Sequence, residues 1–269
     1  GYCWAFIISR NFLVSKKIKF LNIKTHEDIV FVTKIIPNCQ SLVFLKKKFY
    51  FHTSMPTSLS RKISPRMLLS CIIGLKELYK IYITTKNRHL NLFITERIKL
   101  LIIHMMPLLF LVNNKSLFKY SKLINLNKKV FLKINKILKK NIFKFQKNNI
   151  LLKIKKTIEI STLKKLKKTN KNYFIFCMDK YGYAVSKILS KNNYKVKGFM
   201  DNNLNYLNQK KFNINYYKPN NIDKNCNVII CNQRKEHQKE ILKQLINYGI
   251  NSNKIQIKDF DLDLKKKLL

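Results

Sequence analysis

The chain has 269 residues, of which 46% are hydrophobic, and its formal net charge at pH 7 is +42. This length and apolar content suffice for one large or two small folded domains and exclude a chain that is disordered throughout. A charge of this size would ordinarily indicate a polyanionic partner. Nearly all of the excess is lysine, accompanied by abundant asparagine and isoleucine, so compositional drift with lysine on solvated faces is the favoured explanation for much of it.

The six cysteines form no CxxC pair, and several lie in apolar runs, where a thiol behaves as a small hydrophobe. We therefore expect a reducing compartment, with no zinc site and no disulfide framework. No secretory signal opens the chain, and Gly1 leads at once into what reads as the middle of a domain, so we expect the natural start to lie upstream. The apolar run Leu100 to Val112 is too short to span a bilayer and is interrupted by His104 and Pro107, which favours a buried or interfacial helix.

Three regions of the sequence differ in pattern. Residues 1–62 are mixed, residues 63–172 are rich in lysine with apolar residues at helical spacing, and residues 173–269 alternate between strand and helix patterns. The lysine faces of the middle region suit either an anionic membrane surface or plain solvation. Their lysines are not interleaved with aromatic residues on a strand platform, which disfavours nucleic-acid binding.

Residues 1–62 contain Trp4, then Ile18-Lys19-Phe20, then Glu27-Asp28 at the head of an apolar helical pattern. Acidic groups at a helix start are favoured by the helix dipole and remain ionised. On local grounds the pair is either a simple cap or two carboxylates that point into a cleft.

The order of these features resembles the C-terminal half of the catalytic domain in family 2 glycosyltransferases of the A-type fold. In that family a tryptophan precedes an I-x-F segment, an E-D pair, a Y-x-Y-R segment and an S-L/I-S turn. The last two are matched here by Tyr50 to His52 and by Ser58-Leu59-Ser60. The first half of the family's domain, a nucleotide-binding unit ending in an Asp-x-Asp pair that holds metal and diphosphate, has no counterpart. The resemblance therefore implies a fragment that is inactive alone.

The resemblance implies a role for each matched residue. Asp28 would be the general base that takes a proton from the acceptor hydroxyl while the sugar leaves its nucleoside diphosphate with inversion, and Glu27 would flank it. Trp4 would form part of an acceptor-binding wall, with a core tryptophan as the alternative. His52 stands where the family often has arginine and would contact diphosphate or metal. A divalent metal, Mg or Mn, a nucleotide-sugar donor and a glycan acceptor are implied for the full-length enzyme.

The last region predicts a parallel sheet, because strand and helix patterns alternate along it. The strand patterns are Tyr173 to Phe176, Val196 to Met200, Val228 to Cys231 and Lys254 to Lys258, and the helix patterns are Gly182 to Lys191 and Glu236 to Tyr248. The region resembles small Rossmann-like domains of sugar-modifying enzymes, which read I-F-G-A-G-x-x-G and then V-x-G-F-I-D-N-N. The second motif is matched by Val196 to Asn203, whereas the first keeps only its last glycine, Gly182.

The altered glycine motif has a physical consequence. Its first two glycines permit a tight turn and let backbone N–H groups approach a pyrophosphate, whereas side chains there crowd the phosphate and Asp179 would repel it. Gly182 would then serve the packing of helix on strand. Asp201 ends the second strand, where such folds contact ribose hydroxyls, so Gly182 and Asp201 are the candidate cofactor-binding residues. A purely structural or recognition role is the alternative.

These patterns predict an α/β protein with a partial A-type glycosyltransferase segment, a lysine-rich helical middle and a C-terminal Rossmann-like parallel sheet. Three functions compete: glycosyl transfer in surface polysaccharide synthesis, a non-catalytic nucleotide-binding, partner-binding or membrane-associated module, and a basic nucleic-acid-binding protein. We expect the first. The location expected is cytoplasmic or peripheral on the inner face of the membrane.

Overall fold

The computed structural model describes residues 3–43, 64–138, 142–143, 149–164, 166, 172–177, 179–202 and 215–258. The chain divides into two compact units. The first contains Gly1–Met105 and Lys115–Ile150, and the second contains Met106–Asn114 and Leu151–Leu269. The three-region division of the sequence stays a prediction.

Helices dominate the described chain before the sheet. They are α1 (Arg10–Ser15), α2 (Glu27–Ile35), α3 (Pro65–Thr84), α4 (Arg88–Leu111), α5 (Asn114–Leu126), α6 (Lys128–Ile137) and α7 (Ile150–Leu163), with short 3₁₀ helices at Cys3–Ala5 and Ile36–Asn38. The helical spacing of apolar residues in the lysine-rich middle is thus confirmed for α3 and α6. The run that contains Leu101, Ile102 and Met105 is buried within α4, as the sequence predicts.

The core of the first unit is centred on α2. All but one of the residues from Ile29 to Ile35 are buried, so the helix is covered on most of its circumference. A Cβ added to Gly74 of α3 would lie 2.9 Å from Leu101 Cδ1 of α4 and 3.6 Å from Val30 Cγ2 of α2. The absence of a side chain at this point therefore lets α2, α3 and α4 approach one another closely.

The second unit contains a five-stranded parallel sheet. Its strands are β1 (Asn172–Phe176), β2 (Lys195–Met200), β3 (Tyr216–Tyr217), β4 (Asn227–Ile230) and β5 (Ile255–Ile257). The order across the sheet is β3-β2-β1-β4-β5, which is the order of the first five strands in doubly wound nucleotide-binding folds. The predicted α/β class with a parallel sheet is confirmed, and β3 is an additional strand that the pattern did not predict.

Helices cover both faces of this sheet. Phe174, Phe176, Val228 and Ile230 alternate along β1 and β4 and pack in one cluster with the apolar side of α9 (Lys235–Asn247). The intervening residues point to the opposite face, as strand geometry requires. There Tyr183 of α8 (Lys180–Lys191) meets Phe199 of β2, with ring centroids 5.0 Å apart.

The ends of α8 and α9 follow local chemistry. The structure starts α8 at Lys180, two residues before the predicted start, because the Asp179 side chain caps it. Gly249 follows α9 with φ of 84°, a left-handed conformation that suits glycine, so its predicted place at the helix end is confirmed. Across the described residues, none of the helices combines the length and the apolar character needed to cross a bilayer.

Gly182 sets how closely α8 approaches β1, and this gives a testable prediction. A Cβ at this position would lie 2.0 Å from the carbonyl oxygen of Cys177. Because that atom belongs to the backbone, we expect Gly182→Ala to lower the free energy of unfolding by about 1–3 kcal/mol, measured by denaturant titration.

Gly74→Ala is the matched control, since its added Cβ would lie 2.9 Å from the end of the flexible Leu101 side chain and at an ordinary contact distance of 3.6 Å from Val30 Cγ2. Alanine also has the higher helix propensity, so the control should stay within about 1 kcal/mol of the wild type. An equal loss for both variants would contradict the packing role of Gly182.

Candidate functional site

The first candidate site lies at the start of α2, where Glu27 and Asp28 form the first turn. Asp28 is half-buried, and its Oδ1 accepts a hydrogen bond from Ile29 N at 2.8 Å. Oε2 of Glu27 is buried and has no hydrogen-bond partner in the described part of the chain. The two carboxylates are therefore adjacent in the first turn of α2, at the positive end of its helix dipole.

The segment before α2 is held by α3. Oγ of Ser70 accepts hydrogen bonds from the backbone N–H groups of Lys24 at 3.1 Å and Thr25 at 3.3 Å, while its own hydroxyl donates to Arg66 O at 2.9 Å. A serine hydroxyl has one donor and two acceptor positions, so all three are used here. This single side chain thus ties the approach to α2 to the neighbouring helix.

His26, the residue immediately before Glu27, is held from two sides. Its backbone is left-handed, with φ of 67°, an uncommon conformation for a residue other than glycine. Its Nδ1 lies 3.0 Å from Thr25 Oγ1, and its Nε2 lies 3.0 Å from Nδ1 of His104 in α4. Sγ of Cys71 in α3 is 3.8 Å from Nδ1 of His26. These contacts hold the turn that orients Glu27 and Asp28.

The other residues predicted for this site are only partly within the described structure. Trp4 belongs to the 3₁₀ helix Cys3–Ala5, but its side chain lies outside the described atoms. His52 lies outside the described residues, as do Tyr50 and the Ser58-Leu59-Ser60 segment. Their predicted place near the start of α2 is therefore untested, and their roles stay predictions.

Sequence reasoning missed the histidine pair and the serine at this site. His104 appeared only as a polar interruption in an apolar run, and His26 was not singled out. The available signal was that a polar side chain inside a buried apolar helix needs a hydrogen-bond partner. The sequence does not say that the partner is His26, which lies 78 residues earlier.

The second candidate site is the carboxyl edge of the sheet. Backbone pairing continues one residue past the strand ends, because Cys177 N donates to Met200 O at 2.9 Å and Cys231 N donates to Phe176 O at 3.0 Å. Cys177, Asp201 and Cys231 therefore follow neighbouring strands at one edge. In open parallel sheets ligands bind outside this edge, where the strand order reverses.

Asp179 occupies the start of α8 at this edge. Its Oδ1 accepts hydrogen bonds from Tyr181 N at 2.8 Å and Gly182 N at 3.1 Å. These are the N–H groups that a helix start would offer to a phosphate. The chain thus fills this anion position with its own carboxylate, beside Asp201, whose charge also acts on Asp179.

Burial raises the pKa of Asp179 to about 6, although the two backbone N–H groups favour the ionised form. Burial, followed by the charges of Asp179 and Asp201, raises the pKa of the Cys177 thiol well above its usual range. The pKa of the Cys231 thiol is also raised, chiefly by burial and then by the charge of Asp179. Both thiols therefore stay protonated at neutral pH and are poor nucleophiles.

The structure gives the two predicted cofactor residues different positions. Gly182 lies in the first turn of α8 against the carbonyl of Cys177, which is a packing position. Asp201 directly follows β2, and its carbonyl oxygen accepts a hydrogen bond from the Tyr216 hydroxyl. Cys177 stands where the first glycine of the motif would be and has φ of 104°, a conformation that glycine favours.

Within the described ranges, no three histidine, cysteine, aspartate or glutamate side chains come together as metal ligands. Comparison with known proteins found no matching family model, no matching curated protein and no matching solved structure. The candidate sites therefore rest on the chain's own geometry.

The raised pKa of Asp179 predicts a pH-dependent stability. The folded state holds the proton more tightly than the unfolded state, so the stability that the proton contributes is lost as pH rises from about 4 to 6. We expect Asp179→Asn to match the wild type near pH 4 and to have the higher free energy of unfolding near pH 7, measured by denaturant titration at both pH values.

Asp223→Asn is a control of opposite sign. Asp223 is exposed, and a hydrogen bond from Asn225 N lowers the pKa of its carboxyl. Its substitution should therefore reduce stability at neutral pH. A pH profile for Asp179→Asn that runs parallel to the wild type would contradict the assignment.

The self-capped start of α8 predicts weak nucleotide binding at the sheet edge. A pyrophosphate there would have to displace the Asp179 carboxylate and lie near Asp201. We expect titration calorimetry of the whole chain with NAD or a uridine diphosphate sugar to give no saturable binding below about 1 mM at this edge. Micromolar binding that Asp179→Asn leaves unchanged while Asp201→Asn weakens it would refute this expectation.

Proposed function

We propose that this chain carries the acceptor-activating part of an inverting glycosyltransferase of the A-type fold, with Asp28 as general base and Glu27 as the residue that orients the acceptor. The substrates are a nucleotide-sugar donor and a glycan acceptor of surface polysaccharide synthesis. The proposal starts from the sequence resemblance of residues 1–62 to family 2 glycosyltransferases.

The observation that carries the proposal is the buried Oε2 of Glu27, which has no hydrogen-bond partner among the described residues. Such an atom typically costs a fold about 1–3 kcal/mol, and each case needs an explanation. A ligand hydroxyl that donates to this oxygen supplies one. Asp28 is the next residue and is half-buried, so a hydroxyl bound by Glu27 would have a second carboxylate nearby.

The chemistry requires little of the protein beyond position and charge. The acceptor oxygen forms a bond to the anomeric carbon from the face opposite the leaving group, and the bond from that carbon to the diphosphate oxygen breaks. The hydroxyl proton passes to Asp28, and the electron pair leaves with the nucleoside diphosphate. The base candidate lies in the first turn of α2, at the N-terminal end of the helix.

Two supporting features make the start of α2 suitable for such a role. The Ser70 hydroxyl fixes the backbone before the helix, and the contact of His26 with His104 fixes the residue next to Glu27. A base must be held within hydrogen-bond reach of its proton, so this restraint favours catalysis.

The described residues do not fit the divalent metal that the resemblance implies, and the Asp-x-Asp pair of the family has no counterpart here.

A second candidate function concerns the parallel-sheet unit. The Asp179 carboxylate fills the helix start that would receive a pyrophosphate, and the two thiols beside it are held protonated. This arrangement favours a non-catalytic recognition domain over a dinucleotide-binding one. The two proposals are compatible, since they concern separate units.

Asp28→Asn tests the glycosyltransferase proposal. The protein from its whole reading frame should release nucleoside diphosphate from at least one sugar nucleotide when an acceptor polysaccharide is present. We expect Asp28→Asn to lower the rate of transfer by about 10²- to 10⁴-fold, because the amide cannot take the proton. The amide oxygen still accepts from Ile29 N, so the fold should be kept.

Glu236→Gln is the matched control, since Glu236 lies in the first turn of the exposed start of α9. It removes the same charge from a similar helix position and should leave the rate unchanged. If Asp28→Asn transfers sugar at the rate of the control, Asp28 is not the base.

A further inference from the structure

We infer that α5 and α6 form a docking surface for an anionic lipid bilayer. The inference concerns the exposed faces of these two helices and does not depend on glycosyl transfer. It rests on three observations: a long segment without acidic residues, the helical spacing of its exposed lysines, and exposed apolar side chains among them.

The sequence contains no aspartate or glutamate between Arg97 and Ile158, although it contains fifteen lysines there. In the described part of this segment, exposed lysines recur at intervals of three or four residues along α5 and α6, apart from the adjacent pair at the start of α6. They are Lys115, Lys119, Lys122, Lys128, Lys129, Lys133 and Lys136. The exposed face of each helix is thus uniformly positive.

Drift of composition alone does not account for this arrangement. On α9, which is exposed to a similar degree, Lys235, Lys239 and Lys243 alternate with Glu236 and Glu240. There the two signs lie at neighbouring positions, as on an ordinary solvated helix. Acidic residues are thus retained on one exposed helix and absent from the other two, so the positive faces are a local property.

Three apolar side chains lie on the same lysine faces. Phe118 is 43% exposed, Leu126 is 84% exposed and Leu132 is 39% exposed. Nζ of Lys122 lies 4.9 Å from the centre of the Phe118 ring, so aromatic and cationic groups are adjacent. Exposed apolar groups are unfavourable in water, but they enter the boundary between headgroups and acyl chains.

This combination favours a bilayer over a nucleic acid. Lysines attract either polyanion, and their effect falls with salt in both cases. Exposed leucines contribute to binding only where an apolar phase is available. The aromatic stacking platform of single-strand binders has no equivalent on these helices, whose exposed face carries one aromatic ring, Phe118, in the described residues.

Vesicle co-sedimentation of the whole chain tests the inference. The probes are vesicles of phosphatidylcholine and vesicles of phosphatidylcholine mixed with phosphatidylglycerol. We expect binding to the anionic vesicles only, with a partition coefficient that falls about tenfold or more between about 0.1 M and 0.5 M NaCl.

Two sets of substitutions separate charge from apolar insertion. Exchange of four surface lysines for glutamine should lower the partition coefficient by about tenfold or more. The four are Lys119, Lys122, Lys129 and Lys133. The combined variant Phe118→Ser, Leu126→Ser, Leu132→Ser should lower it by about fivefold or more while leaving heparin binding unchanged. All of these side chains are exposed, so circular dichroism should show an unchanged fold.

Matched controls remove the same groups elsewhere. Four exposed lysines of the sheet unit, Lys187, Lys195, Lys239 and Lys243, are exchanged for glutamine, and three exposed apolar residues, Ile7, Val14 and Ile246, are exchanged for serine. Both controls should bind vesicles like the wild type. The inference is overturned if the chain does not bind anionic vesicles, if the controls lose as much binding as the variants, or if the serine variant binds as the wild type does.

Discussion

Backbone pairing beyond the ends of β1 and β4 determines the arrangement of the sheet edge. Cys177 N donates to Met200 O, and Cys231 N donates to Phe176 O, so the hydrogen-bonded ladder continues to the residue after each strand. The chain must then turn sharply into α8, which forces Cys177 to a positive φ. The same turn brings the Cys177 carbonyl against Gly182, where only a hydrogen atom fits. The turn also places the first N–H groups of α8 where they need a hydrogen-bond acceptor, and the Asp179 side chain supplies it.

This local geometry explains how the turn from β1 to α8 forms with cysteine at position 177 and aspartate at position 179, where the predicted motif has glycine. The position of Cys177 costs conformational strain, and the surroundings of Asp179 raise the pKa of its carboxyl group. Two hydrogen bonds to the amides of α8 offset part of that rise. The backbone path is therefore retained while the space for a phosphate is occupied.

Much of the second unit could be predicted from sequence, because short apolar runs bounded by turn residues determine buried strands. The strands β1, β2, β4 and β5 lie within one residue of their predicted bounds at most ends. The strand Tyr216–Tyr217 was not predicted, because two residues are too few to show the alternation of a strand. The start of α8 was misplaced because Asp179 was interpreted through its effect on a phosphate and not as a helix cap.

The first unit was predictable only at the level of helices. The acidic pair at the start of α2 follows from its position before an apolar pattern, and the structure agrees. The groups that hold this start come from α3 and α4, at separations of 45 and 78 residues. No local rule links a serine or a histidine to a partner at such distances, so Ser70 and His104 emerged only from the folded chain.

The separation between His26 and His104 also bears on the order in which the chain acquires its structure. Helix α2 and its neighbour α3 can pair first, since both are synthesised before α4. The imidazole contact must wait until α4 has been synthesised and packed, because long loops close later than short ones. A growing chain therefore holds its acidic turn through Ser70 and Cys71 of α3 for an interval, and the turn becomes fully restrained only when α4 is in place.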